Sequence, residues 1–193
     1  MSLDYSILLW INGHYTEWLD RMMWAISLPA IWIPLYVLLL GLIIWKYRNW
    51  KLILLIIGAF VLAVGLSDWF SSGVLKPLVC RLRPTHEPGL DPIHLVKGYT
   101  GGIYGFCSSH AANTMSCALL FSLLWHKKTA TAILMIWVAL VAYSRMYLGV
   151  HYPSDIIAGW LVGALTAVLA HWALSCSARL LPEDDVAALR DGS

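Results

Sequence analysis

Three short polar stretches interrupt an otherwise apolar chain: KPLVCRLRP at residues 76–84, CSSHAANT at 107–114 and SRMYLGVHYPSD at 144–155. The first carries Lys76, Arg81 and Arg83, the second Ser108, Ser109 and His110, the third Arg145, His151 and Asp155. A charge near a bilayer core is costly and persists mainly where it is paired or used. Lys76, Arg83 and Arg145 together match a phosphate monoester, which carries about two negative charges at neutral pH and three strong acceptor oxygens. Arg can meet those oxygens with a bidentate fork. Ser108 or Ser109 stands where an N-cap would open a helix, and the free N–H groups there suit an anion. His151 and Asp155 are four apart, so the carboxylate can fix the imidazole tautomer. A neutral imidazole held in this way can attack phosphorus and form a covalent intermediate. A second imidazole, His110, can protonate the departing alkoxide. Neither job needs a metal or another cofactor.

Each residue alone has a plainer reading. Lys76 or Arg83 could snorkel to lipid headgroups, His110 could simply start a helix, and Asp155 could sit in a first turn near the helix dipole. Arg145 is harder to dismiss, because the outer end of a span is not where basic residues concentrate. The joint pattern favours catalysis. Cys80, Cys107, His86 and His110 lack the paired spacing of a structural zinc site. Cys117 and Cys176 read as packing residues, a Cys80–Cys107 bridge is a minority reading, and His86 and His94 are assigned to the surface.

The same stretches resemble, in order and spacing, the signature of the type 2 phosphatidic acid phosphatase family: KxxxxxxRP, then PSGH, then SRxxxxxHxxxD. The likeness covers about residues 60–170. It implies an all-α, integral-membrane bundle of five to six transmembrane helices with a phosphatidic acid phosphatase/haloperoxidase-like core, and metal-independent hydrolysis of a lipid phosphate or diphosphate. By that resemblance Lys76, Arg83, Ser108 and Arg145 bind phosphate, His110 is the acid, His151 the nucleophile and Asp155 its orienting partner. Cys107 stands where the family has Pro and Ser109 where it has Gly. Ser109 thus brings a side chain to a point where backbone should approach phosphate. The implied substrates are undecaprenyl diphosphate, lipid A phosphates, phosphatidylglycerophosphate and phosphatidic acid. A phosphotransferase with the same site, or a lipid-binding or transport protein without turnover, are the rival expectations.

The elements that must carry these residues are helices in a membrane. The chain has 193 residues, 60% of them hydrophobic and 12% charged, against about 25% charged in soluble domains. A net charge of +2 is too small to suggest nucleic acid, and the oligomeric state is left open. The whole of 1–193 reads as one membrane-embedded domain. Five runs are long enough to cross, at about 17–25 residues each: 22–45, 52–74, 110–125, 129–147 and 156–180, the third being the shortest. Residues 1–21 read as an amphipathic interfacial helix, with a short sixth crossing as the alternative, and 181–193 as a polar cytoplasmic tail. If residues 76–83 are helical, Lys76 and Arg83 share a face and Pro84 ends the helix. Asp68 either pairs with a basic group of the site or caps a helix, and Gly159 and Gly163 form a small-residue packing face. The short turns KYRNWK and HKK are basic. That puts both in the cytoplasm, and the three polar stretches on the outer side of an inner membrane.

Overall fold

In the computed structural model, which describes residues 3–90 and 93–182, the amino-terminal stretch divides into two helices. α1 (Leu3–Gly13) ends short of Thr16, whose hydroxyl accepts a hydrogen bond from Leu19 N (3.2 Å) and so caps α2 (Glu17–Ser27). α1 does more than lie on a surface. Its Leu8, Ile11 and Asn12 are buried, and Asn12 ties the loop at His94 to the end of the helix carrying Tyr147. His94 is accordingly no free surface residue: its ring meets both oxygens of Asp20 at 3.0 Å and stacks on Tyr15 at 3.7 Å.

The first crossing starts later than the apolar run suggests. Leu28 precedes Pro29 and is extended (φ −81°, ψ 123°), as the proline ring demands of its neighbour. Residues 22–27 therefore belong to α2, and a 3₁₀ turn, Pro29–Trp32, leads into α3 (Ile33–Tyr47). Asn49 opens α4 (Trp50–Asp68), its side-chain oxygen accepting from Lys51 N and Leu52 N. The second crossing runs on past residue 74: a π-helical stretch, Trp69–Leu75, joins α4 to the single turn of α5 (Lys76–Val79). After a folded loop come α6 (Ser109–Trp125), α7 (Lys128–Tyr147) and α8 (Pro153–Ala178).

Among the described residues, four helical segments are long and apolar enough to cross a membrane: Pro29–Tyr47, Trp50–Val79, Lys128–Tyr147 and Pro153–Ala178. α6, at 17 residues, is the fifth member of the bundle and its centre. It packs against α4, α7 and α8, and ten of its residues are buried. Gly159 and Gly163 of α8 allow that packing, since a Cβ at Gly159 would come within 2.6 Å of Ser108 O. Outward faces of the other helices stay apolar and exposed (Val37, Leu54, Ile136 and Leu161), as lipid contact requires. The two basic turns share one end of the bundle, where Lys46 Nζ and Tyr47 Oη both donate to Leu124 O (3.1 and 2.7 Å). α1 and all three polar stretches occupy the other end. The proposed tail's residues 183–193 lie outside the described residues.

Candidate active site

Lys76, Arg83 and Arg145 reach one cavity by three different backbone routes. The π-helical stretch before Lys76, marked by the bond from Lys76 N to Ser71 O, gives way where Pro77 has no N–H for the ladder. Lys76 Nζ then donates to Ser72 Oγ (3.1 Å) and Ser109 Oγ (2.6 Å). The helix that would place Lys76 and Arg83 on one face stops at Cys80, which is left-handed (φ 51°) and closes on Lys76 O. Arg83 arrives instead on an extended strap, where Leu82 pairs with Tyr104 and Arg83 N bonds Ile103 O at 3.0 Å. Gly101 (φ +68°) lies against its guanidinium, and a Cβ there would sit 3.0 Å from Nη1. Arg145, in the last turn of α7, donates to Ser27 Oγ and, at 3.3 Å, to Tyr99 Oη.

Arg83 is 8% and Arg145 3% exposed, and both Nε atoms are buried without a hydrogen-bond partner among the described residues. Among the described residues, no carboxylate forms an ion pair with any of the three cavity cations. An uncompensated buried charge costs several kcal/mol, so an anion would complement this arrangement.

His151 faces the same cavity from the turn between α7 and α8. Arg83 Nη1 donates to Val150 O and to His151 Nε2, both at 3.1 Å. A guanidinium can only donate, so Nε2 carries the lone pair and Nδ1 the proton. Nδ1 lies 3.5 Å from Asp155 Oδ2, long for a hydrogen bond, so the carboxylate orients the ring without clamping it. Burial first, then the charges of Arg83, Arg145 and Lys76, hold His151 well below the usual imidazole range. It is neutral at neutral pH. Asp155 is fully buried, and its Oδ2 also accepts Tyr152 N at 3.0 Å, closing the capping box of α8.

His110, second residue of α6, lines the cavity. The two serines divide. Ser108 is the N-cap residue, but its side chain makes no cap bond and is fully buried. Its backbone N–H donates to Asp155 O (3.1 Å), which ties the starts of α6 and α8 together. Ser109 is the serine on the cavity wall, sharing Lys76 with Ser72. Ser72 could have been found, four residues before Lys76 on the same helical face. Nothing in the pattern pointed to Ser27 or Tyr99. Asp68 meets neither expectation: Oδ1 accepts from Asn113 Nδ2 at 3.1 Å, and both residues line the cavity. All four cysteines are free. Among the described residues no group of three or more His, Cys, Asp or Glu is placed to hold a metal ion.

The cavity has a volume of about 880 Å³. One end holds the cations and histidines, while the other runs between α3 and α4 past Leu40, Ile43, Phe60, Val61 and Val64. Leu40 and Val61 are exposed, so the apolar end opens sideways toward lipid.

Residues 50–177 match the model of the PAP2 superfamily. The lipid A 4'-phosphatase of Bacteroides thetaiotaomicron is 34% identical over 188 residues, covering 96% of this chain and 83% of that protein. The enzyme of the same name from Porphyromonas gingivalis is 37% identical over 166 residues, 86% of this chain and 70% of its own. The crystal structure of Aquifex aeolicus LpxE shares the fold at a TM-score of 0.67, with 22% identity, 88% of this chain covered and 95% of that one. A bundle whose three polar stretches converge on one anion-matched cavity, and which matches the family over both the second crossing and the last, belongs to the PAP2 superfamily.

Proposed function

We propose that this membrane lipid phosphatase removes a phosphate monoester from a sugar-bearing lipid headgroup of the lipid A kind. The observation that carries the reading is the joining, in one cavity, of three cations without ion-pair partners among the described residues, a neutral imidazole and a lipid-facing apolar branch. The relatives at 34% and 37% identity are named for lipid A. Asp68 and Asn113 add an acceptor and a donor suited to a hydroxyl or amide of a sugar beside the phosphate. The membrane is the inner membrane, with the cavity facing outward, a reading supported by the basic turns at the far end of the bundle.

In the mechanism, Lys76, Arg83, Arg145 and Ser109 hold the phosphate oxygens, with the first-turn N–H groups of α6 behind Ser108. Arg83 transfers its hydrogen bond from Nε2 to a phosphate oxygen, which frees the lone pair. His151 Nε2 attacks phosphorus, the bond to the lipid oxygen breaks, and His110, protonated once the bound dianion offsets the three cations, gives that proton to the departing alkoxide. Water then attacks the phosphohistidine, His110 takes the water's proton, and inorganic phosphate leaves with His151 regenerated.

The two histidines predict different losses. A general acid is worth about 10²–10⁴-fold and matters only for a poor leaving group. His110→Ala loses roughly that much on a lipid monoester but far less on p-nitrophenyl phosphate, while His151→Ala fails on both. The measurement is kcat/KM from released phosphate or p-nitrophenol, with folding checked by gel filtration in detergent. Equal damage to both substrates in His110→Ala, or surviving aryl activity in His151→Ala, reverses the assignment.

A further inference from the structure

We propose that Arg81 is a positioning residue for the nucleophile, acting through Asp155, and that α1 holds it in place through Asp4. This rests on the assignment of His151 as nucleophile. Arg81 is not among the residues lining the cavity, so its role differs from that of the three phosphate-facing cations. It stands behind Asp155 instead. Nη1 donates to Asp155 Oδ1 at 3.0 Å and to Ser154 Oγ, while Nη2 donates to Asp4 Oδ2. Asp4 is anchored in turn by Ser154, whose N–H bonds Asp4 Oδ1 at 2.9 Å and whose hydroxyl bonds Oδ2. The guanidinium lies over the Tyr152 ring, 3.9 Å from its centroid, and Tyr5 of α1 packs on the same ring at 5.1 Å. Three partners on two elements thus fix one side chain.

The chemistry gives this arrangement its purpose. When phosphorus bonds to Nε2 the imidazole becomes cationic, and the carboxylate facing Nδ1 must be ionised and correctly turned to stabilise it. Asp155 is fully buried, where a carboxylate without compensation tends to take up a proton. The charged and titratable groups around it are Arg81, His151, Arg83, Asp4 and Cys107. Among the described residues Arg81 alone hydrogen-bonds Oδ1, leaving Oδ2 for the histidine and the Tyr152 N–H. Burial works against the charge of Arg81, but the Asp4 hydrogen bond and the charges of Asp155 and Asp4 outweigh it and raise its pKa above the usual arginine value.

The experiment compares Arg81→Gln, Arg81→Lys, Asp4→Asn and His151→Ala in purified full-length protein. For each, kcat and KM on a lipid monophosphate, inhibition by vanadate, and kcat/KM against pH are measured. Residues that orient a metal-bound histidine from behind are typically worth about 10–100-fold, and the same scale is expected for one that orients a nucleophilic histidine. Arg81→Gln loses roughly that much in kcat, with KM and vanadate inhibition within about twofold. Its acid limb moves to higher pH, and Arg81→Lys restores most of the loss. Asp4→Asn shifts both readings the same way by less, and it carries the test alone should Arg81→Gln fail to fold. An unchanged kcat and acid limb in Arg81→Gln, or in Asp4→Asn where that stands alone, overturns the inference. So does loss of vanadate inhibition in step with kcat, which marks mere structural damage. An active His151→Ala fails the underlying mechanism instead, so the two failures are told apart.

Discussion

At the scale of single residues, the three cations act on His151 in opposite senses before and after substrate arrives. In the free enzyme they join burial in keeping the imidazole neutral, which is the form that can attack. An ordinary imidazole titrates near 6.5. Because the folded value is lowered, the neutral nucleophile persists as pH falls through 6.5, and the acid limb of kcat/KM lies below that pH, where Asp155 or His151 takes up a proton. A bound dianion offsets Arg83, Arg145 and Lys76, so the limb of kcat, which reports the complex, lies higher than that of kcat/KM. Rates on p-nitrophenyl phosphate, corrected for the second ionisation of phosphate near pH 6, check both. An acid limb of kcat/KM at 6.5 or above would contradict the neutral, cation-surrounded histidine. Most of these residues were legible, because a charged side chain in an apolar chain is conspicuous. Those that were not are hydroxyls and a carboxylate whose partners lie far off in sequence. Ser27 meets Arg145 across 118 residues, and Asp4 meets Ser154 across 150. No local spacing encodes such pairs.

At the scale of elements, apolar run length located the crossings, while their ends were set by backbone chemistry that hydropathy does not register. Pro29 moves the first crossing inward, and a left-handed Cys80 stops α5 before Arg83. α6 shows the limit most clearly. Its 17 residues span about 25 Å at 1.5 Å each, short of a hydrocarbon core of about 30 Å, and its opening turns are polar. Those turns can be polar because α6 is surrounded by α4, α7 and α8 instead of lipid. The placing of both basic turns at one end also gives a test of orientation. In a chain with Cys80→Ser, Leu95→Cys in the exposed loop at the cavity end reacts with an impermeant thiol reagent in intact cells whose outer membrane has been made permeable. Lys127→Cys, in the opposite turn, reacts only after lysis. The reverse labelling pattern would turn the protein over and set the cavity toward the cytoplasm.

At the scale of the whole molecule, the site is a cavity with two solvents. Phosphate chemistry needs the polar end, and on the proposed function the substrate's tail takes the branch between α3 and α4. A tail leaving the bilayer for this groove exchanges one apolar surrounding for another, so hydrophobic burial supplies little selectivity. The groove selects by shape. α3 makes this possible, since it packs mainly against α4 and leaves Leu40 and Val61 at the lateral opening. Val64, deeper in the branch and partly buried, is the place to fill. An indole there, about three helical turns before Lys76, is placed to meet the tail. Overpacking of this kind costs about 1–3 kcal/mol, which reads as roughly 5- to 150-fold in kcat/KM. Val64→Trp therefore loses that much on a long-chain lipid monophosphate and changes p-nitrophenyl phosphate by less than about threefold. Equal losses on both substrates would mean that the substitution disturbs the polar end. No loss on the lipid would mean that the tail takes another path out of the bundle.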